Sequence, residues 1–158
     1  MQLNRSTDYA IQMLLYLAKA GKTVSSSKLS AAIGVSHRYL LQISAKLRAA
    51  GFIRAAHGSS GGLALEKAPE EISLYDVILG MEGAAQTGDI CGIPSDEISQ
   101  EMLMLKNEYR KVDCMLEREL KAITLARMLD GELRETQTAD YFSKHRRSDC
   151  AVRELTAR

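Results

Sequence analysis

The sequence predicts a mainly α fold: a winged helix-turn-helix with a two-stranded wing, followed by a long C-terminal dimerisation helix. Three observations carry this. Residues 25–51 hold two helical patterns joined by a turn at Gly34-Val35-Ser36. Residues 52–65 hold two short strand patterns joined by a loop rich in glycine and serine. From Ile98 to Ile123, apolar residues recur at steps of three and four, which is the rhythm of one helix lying along another.

The elements follow in order. Residues 6–20 predict the first helix, with Ser6 or Thr7 as its cap and Asp8 in the first turn, where an acid suits the positive dipole end. Ala10, Met13, Leu14, Leu17 and Ala18 fall on one face. Thr23-Val24 reads as a short extended lead-in. The second helix spans about Ser26 to Ile33, with Leu29, Ala32 and Ile33 as its apolar face. Gly34 supplies the turn, because glycine adopts a left-handed backbone cheaply. Ser36 caps a third helix from about His37 to Ala50, whose inward stripe is Leu40, Ile43 and Leu47. Phe52 to Ala56 and Leu63 to Leu65 then read as paired strands.

Beyond the hairpin, Ala68 to Glu71 breaks the pattern and Ser73 caps a short helix from Leu74 to about Met81, with Gly80 and Gly83 expected to weaken its end. Ser95 is the expected cap of the long helix, read from Asp96 to about Ile123, and Thr124 to Leu129 continues as a short one. The resulting division is a winged helix-turn-helix domain over 1–83, a loop with Cys91 over 84–95, dimerisation helices over 96–130 and a polar tail over 131–158. The dimer stripe is Ile98, Met102, Leu105, Tyr109, Val112, Leu116 and Leu120.

Charge is divided unevenly. Residues 1–67 hold nine Lys/Arg and two acids, a balance of +7, whereas the remainder is at −6. A basic front and an acidic back fit a nucleic-acid face joined to a half that does not bind it. The third helix leaves His37, Arg38, Gln42, Lys46 and Arg48 outside its core stripe. An ordinary solvated helix also carries such a face; the turn before it and the wing after it point to a major-groove reader. The expected contacts with double-stranded DNA are Ser36, His37, Arg38, Tyr39, Gln42 and Lys46 on this helix. On the wing they are Arg54, His57, Gly58, Ser59, Ser60, Gly61 and Gly62, where Gly61 and Gly62 allow close approach and positive φ.

Other classes are less well supported. No Ser/His/Asp grouping, paired acids or metal-spaced histidines supports catalysis, so no enzyme is expected. The glycine-rich loop lacks the lysine and the strand-loop-helix setting of a phosphate-binding loop. No run of 18 apolar residues and no signal-peptide pattern is present, so a cytoplasmic protein without membrane association is expected. Cys91, Cys114 and Cys150 are odd in number and lack a pairing rhythm, which argues against a disulfide scaffold and leaves buried thiols, redox sites or metal sites open.

Taken together, TDYAIQMLLYLA (7–18), VSHRYLLQISAKLRAAGFI (35–53), HGSSGGLAL (57–65), EISLYDVILGMEG (71–83) and ITLARML (123–129) resemble the Rrf-two family of bacterial winged-helix regulators. The resemblance implies a homodimer that binds operator DNA, acting as a repressor at a pseudo-palindromic site. In several relatives an iron–sulfur cluster on three evenly spaced cysteines tunes binding. This chain keeps Cys91 of that set, and Glu97 and Leu103 stand at the other two places. Cofactor use therefore stays open between none and an atypical iron–sulfur cluster using Cys91, Cys114 and Asp8 from the other subunit. A redox-sensing thiol at Cys91 is a second form of the same switch. Asp8 as a helix-start acid and Cys114 as a small apolar residue are the plain alternatives. Two departures touch the DNA face: His57 replaces an arginine common before the wing glycine, and Leu41 stands where one relative has glutamate. A protein-interaction module that does not bind DNA is a further alternative.

Overall fold

The computed structural model describes residues 3–56, 61–83 and 99–131. Helix α1 (Arg5–Ala20) lies at the centre of the core, with α2 (Ser26–Ile33) and α3 (His37–Ala49) packed against it. Strands β1 (Ile53–Ala56) and β2 (Gly62–Leu65) pair antiparallel, Ile53 opposite Leu65 and Ala56 opposite Gly62. A 3₁₀ turn at Pro69–Glu71 leads to α4 (Leu74–Glu82), and α5 (Gln100–Ala122) and α6 (Leu125–Leu129) complete the described chain.

The core is built from the predicted stripes. Met13, Leu14 and Leu17 of α1 meet Leu29 of α2, Leu40, Ile43 and Leu47 of α3, Phe52 and Ile53, and Val77 and Met81 of α4. Each such side chain contributes about 1.5–3 kcal/mol by leaving water. The inward face of α2 is turned from the expected one. Ala32 is exposed and Ser30 is buried in its place, its hydroxyl donating to the Ser27 carbonyl at 2.9 Å. The rotation keeps Leu29 at the centre of the core while the small hydroxyl is satisfied locally.

The start of α1 also differs from expectation. Asn4, not Ser6 or Thr7, holds the cap position, and it makes no side-chain cap bond. The cap comes from a distant element: Glu82 Oε1 accepts from the Asn4 N–H at 2.9 Å and from the Thr7 hydroxyl at 2.7 Å. A carboxylate at a helix N-terminus is favourable for both hydrogen bonding and dipole reasons. Thr7 is fully buried there. Thr7→Val, nearly isosteric, is expected to lower stability by about 1.5–3 kcal/mol in urea unfolding, since it removes a bond to a charged acceptor. A melt matching the parent protein would mean that Glu82 does not hold α1.

Two glycines admit close packing. A Cβ on Gly62 would lie 2.2 Å from the Val24 carbonyl oxygen. Val24 bonds to Leu63 in both directions, at 2.9 and 2.8 Å, so the lead-in before α2 forms a third edge of the wing root. Gly80 does not weaken α4, which continues through it to Glu82; its missing side chain makes room for Phe52.

The long helix begins later than expected. Ser99 is its cap, accepting from the Met102 N–H at 3.3 Å, and Ser95 to Ile98 lie outside the described residues. Its end is fixed by the fold. Ile123 turns extended, and its carbonyl accepts from the Leu74 N–H at 2.8 Å. The Leu125 N–H donates to the Ile72 carbonyl at 3.0 Å, and the Leu125 side chain is fully buried in the core. Lys121 stands 4.9 Å from the Tyr75 ring centroid. Its ammonium is held above the usual lysine range by the hydrogen bond from it to Glu117 and the charge of that carboxylate. The far end of α5 is thus clamped to the start of α4. Among the described residues no helix is long and apolar enough to cross a membrane.

Candidate nucleic-acid interface

Helix α3 is positioned by its own inward stripe and by three ties at its start. Ser36 is its cap and accepts from the Tyr39 N–H at 3.3 Å. His37 Nε2 lies 2.8 Å from the Ser26 hydroxyl, joining the first residue of α3 to the first of α2. Tyr39 meets Tyr9 of α1 edge to face, centroids 5.8 Å apart, and is half-buried. Ser44, buried on the core side, donates to the Leu40 carbonyl at 2.7 Å and leaves no polar group unpaired there. The turn before α3 is made by Gly34 at φ 75°.

These ties divide the predicted contacts. Ser36, His37 and Tyr39 each have a task within the fold. Arg38, Leu41, Gln42 and Lys46 stand free on the outward face, and Leu41 is 46% exposed although it is a leucine. On the wing, Arg54 is exposed and lies 4.0 Å from Glu66. Gly61 is half-buried, and His57, Gly58, Ser59 and Ser60 lie outside the described residues. Gly62 does not take the positive φ expected of it; the close approach it permits is to the Val24 backbone.

The stripe expected to pair two copies is only partly covered by its own chain. No residue of α5 is buried. Met102, Leu116 and Leu120 are half-buried, while Leu105, Tyr109 and Val112 are 39–49% exposed. Ile98 lies outside the described residues. The exposed apolar face is broader than the predicted seam, because Met104 and Met115 flank it at 64% and 59%. Both interrupt the heptad count, so spacing alone did not single them out.

The three metal candidates are not brought together among the described residues. Asp8 is exposed on α1, Cys114 is exposed on α5, and Cys91 lies outside the described residues. No group of three or more His, Cys, Asp or Glu among the described residues is arranged to hold a metal ion. Leu103, at the third place of the cysteine set, has no donor atom and is 51% exposed. The described residues therefore do not fit a three-cysteine cluster.

Known proteins share this arrangement. The Rrf2 family model, described as an iron-dependent transcriptional regulator, matches residues 3–131. The chain is 37% identical over 79 residues to "Protein aau3" of Rhizobium meliloti (strain 1021); the match spans 49% of the chain and about half, 51%, of that relative. Its fold is similar to that of T. potens IscR, with a TM-score of 0.65 and 28% identity over 84% of this chain and 88% of that one. It is also similar to CymR, the global cysteine regulator of B. subtilis, with a TM-score of 0.67 over 81% and 95% of the two chains; at 22% identity that likeness concerns the fold alone.

Proposed function

Because the chain belongs to the Rrf2 family of transcriptional regulators, we propose that it acts as a homodimeric repressor on a pseudo-palindromic operator. The observation that carries this reading is the outward face of α3. Arg38, Leu41, Gln42 and Lys46 stand exposed on a helix whose opposite face is fixed in the core. Held this way, α3 offers a major groove the donors and apolar surface that distinguish base pairs. Arg38 suits guanine or a phosphate, Gln42 suits adenine, and Leu41 suits a thymine methyl. Lys46 and Arg54 add charge for the backbone, and His57 to Gly62 are the further contacts proposed from the sequence. Two copies paired through α5 present two such helices to successive grooves, about 34 Å apart.

Arg38→Ala tests the docking. Its side chain is exposed, so folding is unaffected, and binding to duplex DNA is expected to weaken with a salt slope altered by about 1 if the contact is to phosphate. If the contact is to a base, affinity falls by about 1–3 kcal/mol on the preferred sequence only. Unchanged affinity and slope would show that α3 does not enter DNA this way. Absence of duplex binding at low salt would favour a protein-interaction module instead.

A second reading adds a switch at Cys91, supported by the family model's description as iron-dependent. The incomplete cysteine set favours a thiol over a cluster of the standard kind. Purification without air distinguishes them. A brown protein that loses its visible absorption in Cys91→Ser carries a cluster, whereas a colourless one whose DNA affinity changes with oxidant carries a thiol switch. A colourless protein indifferent to oxidant has neither.

A further inference from the structure

We propose that the cleft between α3 and β1 is a seat for a single phosphate of the DNA backbone, gripped by Arg48 and Arg54 together. This inference rests on the DNA-binding reading and adds to it a site outside the expected base-reading face. The cleft is lined by Ala45, Arg48 and Ala49 from α3 and by Ile53, Arg54 and Ala55 from β1. Its residues divide into two roles. Three alanines are short enough to leave a hollow beside the buried Ile53, and one arginine stands on each wall.

The charges in the cleft are available. Among the described residues the Arg48 side chain makes no hydrogen bond or ion pair, and the residue is exposed. Arg54 has Glu66 as its partner at 4.0 Å, with both side chains about half or more in solvent. An ion pair this long and this exposed is worth little and yields readily to a phosphate. Arg48 lies in the last turn of α3, where the helix dipole alone repels an anion, so the guanidinium groups supply the attraction. A guanidinium matches phosphate oxygens with paired donors, which lysine cannot do.

The position of the cleft fits a backbone strand. Ala45 is three and four residues beyond Gln42 and Leu41, so the cleft continues the outward face of α3 toward the root of the wing. A duplex that accepts Arg38 and Gln42 in its groove brings its sugar–phosphate edge past this point. The contact carries no sequence information; it fixes how deep and at what angle α3 enters.

Binding of the full-length protein to a mixed-sequence duplex, followed by fluorescence anisotropy across a salt series, tests the seat. Arg48→Gln and Arg54→Gln are each expected to weaken binding several-fold at low salt and to reduce the slope of log affinity against log salt by about 1. Because both arginines serve one phosphate, the double variant should also lose about 1, not about 2. Lys22→Gln, an exposed charge away from the cleft, should leave the slope unchanged. Thermal melts of all variants should match the parent, since each side chain is exposed. The seat is overturned if Arg48→Gln keeps the parent's slope, if the double variant loses about 2, or if Lys22→Gln has the same effect. A parent protein that binds no duplex at low salt removes the DNA reading itself, an outcome distinct from these.

Discussion

If the parent pairs through α5 as proposed, a chain carrying Leu105→Asp and Val112→Asp is expected to be monomeric in light scattering at concentrations where the parent dimerises. Its affinity for a duplex with two half-sites is expected to fall by about 10²–10⁴-fold, because the second reading helix no longer binds as part of the same particle. Both residues lie on the exposed apolar face of α5, between Met104 and Met115, where a second copy of the helix would cover them. Two carboxylates placed there must either lose water without a partner or keep the helices apart, and separation costs less. The monomer should stay folded, since α5 has no buried residue and its far end is anchored by Leu125 in the core. A variant that remains dimeric means that the pairing surface is elsewhere. A monomer with undiminished affinity means that the two reading helices do not cooperate.

Gly62→Ala is the second change with a large expected effect, and it acts on the fold rather than on pairing. The new methyl carbon would stand 2.2 Å from the Val24 carbonyl oxygen and 2.6 Å from its carbon, both backbone atoms. No rotamer change relieves that overlap, so the chain at Val24 must separate from β2. The two Val24–Leu63 hydrogen bonds are lost, and buried groups left without partners cost about 1–3 kcal/mol each. A loss of about 2–5 kcal/mol in urea unfolding is expected on that basis. Amide exchange should accelerate at Val24 and Leu63 before it does in α1. Unchanged stability would mean that Val24 is not held against the wing root.

Most of the local structure was legible from residue types alone. Gly34 with Ser36, the Ser73 cap, and the leucine stripes of α1 and α3 act over a few residues, and they mark the same elements in the sequence and in the fold. What escaped was set by distance along the chain. The cap of α1 comes from Glu82, 75 residues beyond Thr7. The need for glycine at position 62 comes from Val24, and the room at Gly80 serves Phe52. Ser99, the cap of the long helix, was not singled out because Ser95, with two acids directly after it, carries the same sequence signal more strongly. The outward residues of α3 were legible because its inward stripe is regular. The cleft that Arg48 and Arg54 both line was not, because it depends on β1 folding back beside the end of α3.

In the proposed dimer, the clamp that joins the end of α5 to the start of α4 ties each reading head to its share of the pairing helix. Leu125, Ile72, Leu74 and Ile123 leave no slack hinge between them. A pair built this way behaves as a gauge of fixed opening. One base pair inserted between the half-sites turns one of them by roughly 35° about the duplex axis, given about 10.5 base pairs per turn. A flexible linker would absorb that rotation, and a clamped one does not. Genomic sites for this protein should therefore vary in their bases far more freely than in the spacing between their halves.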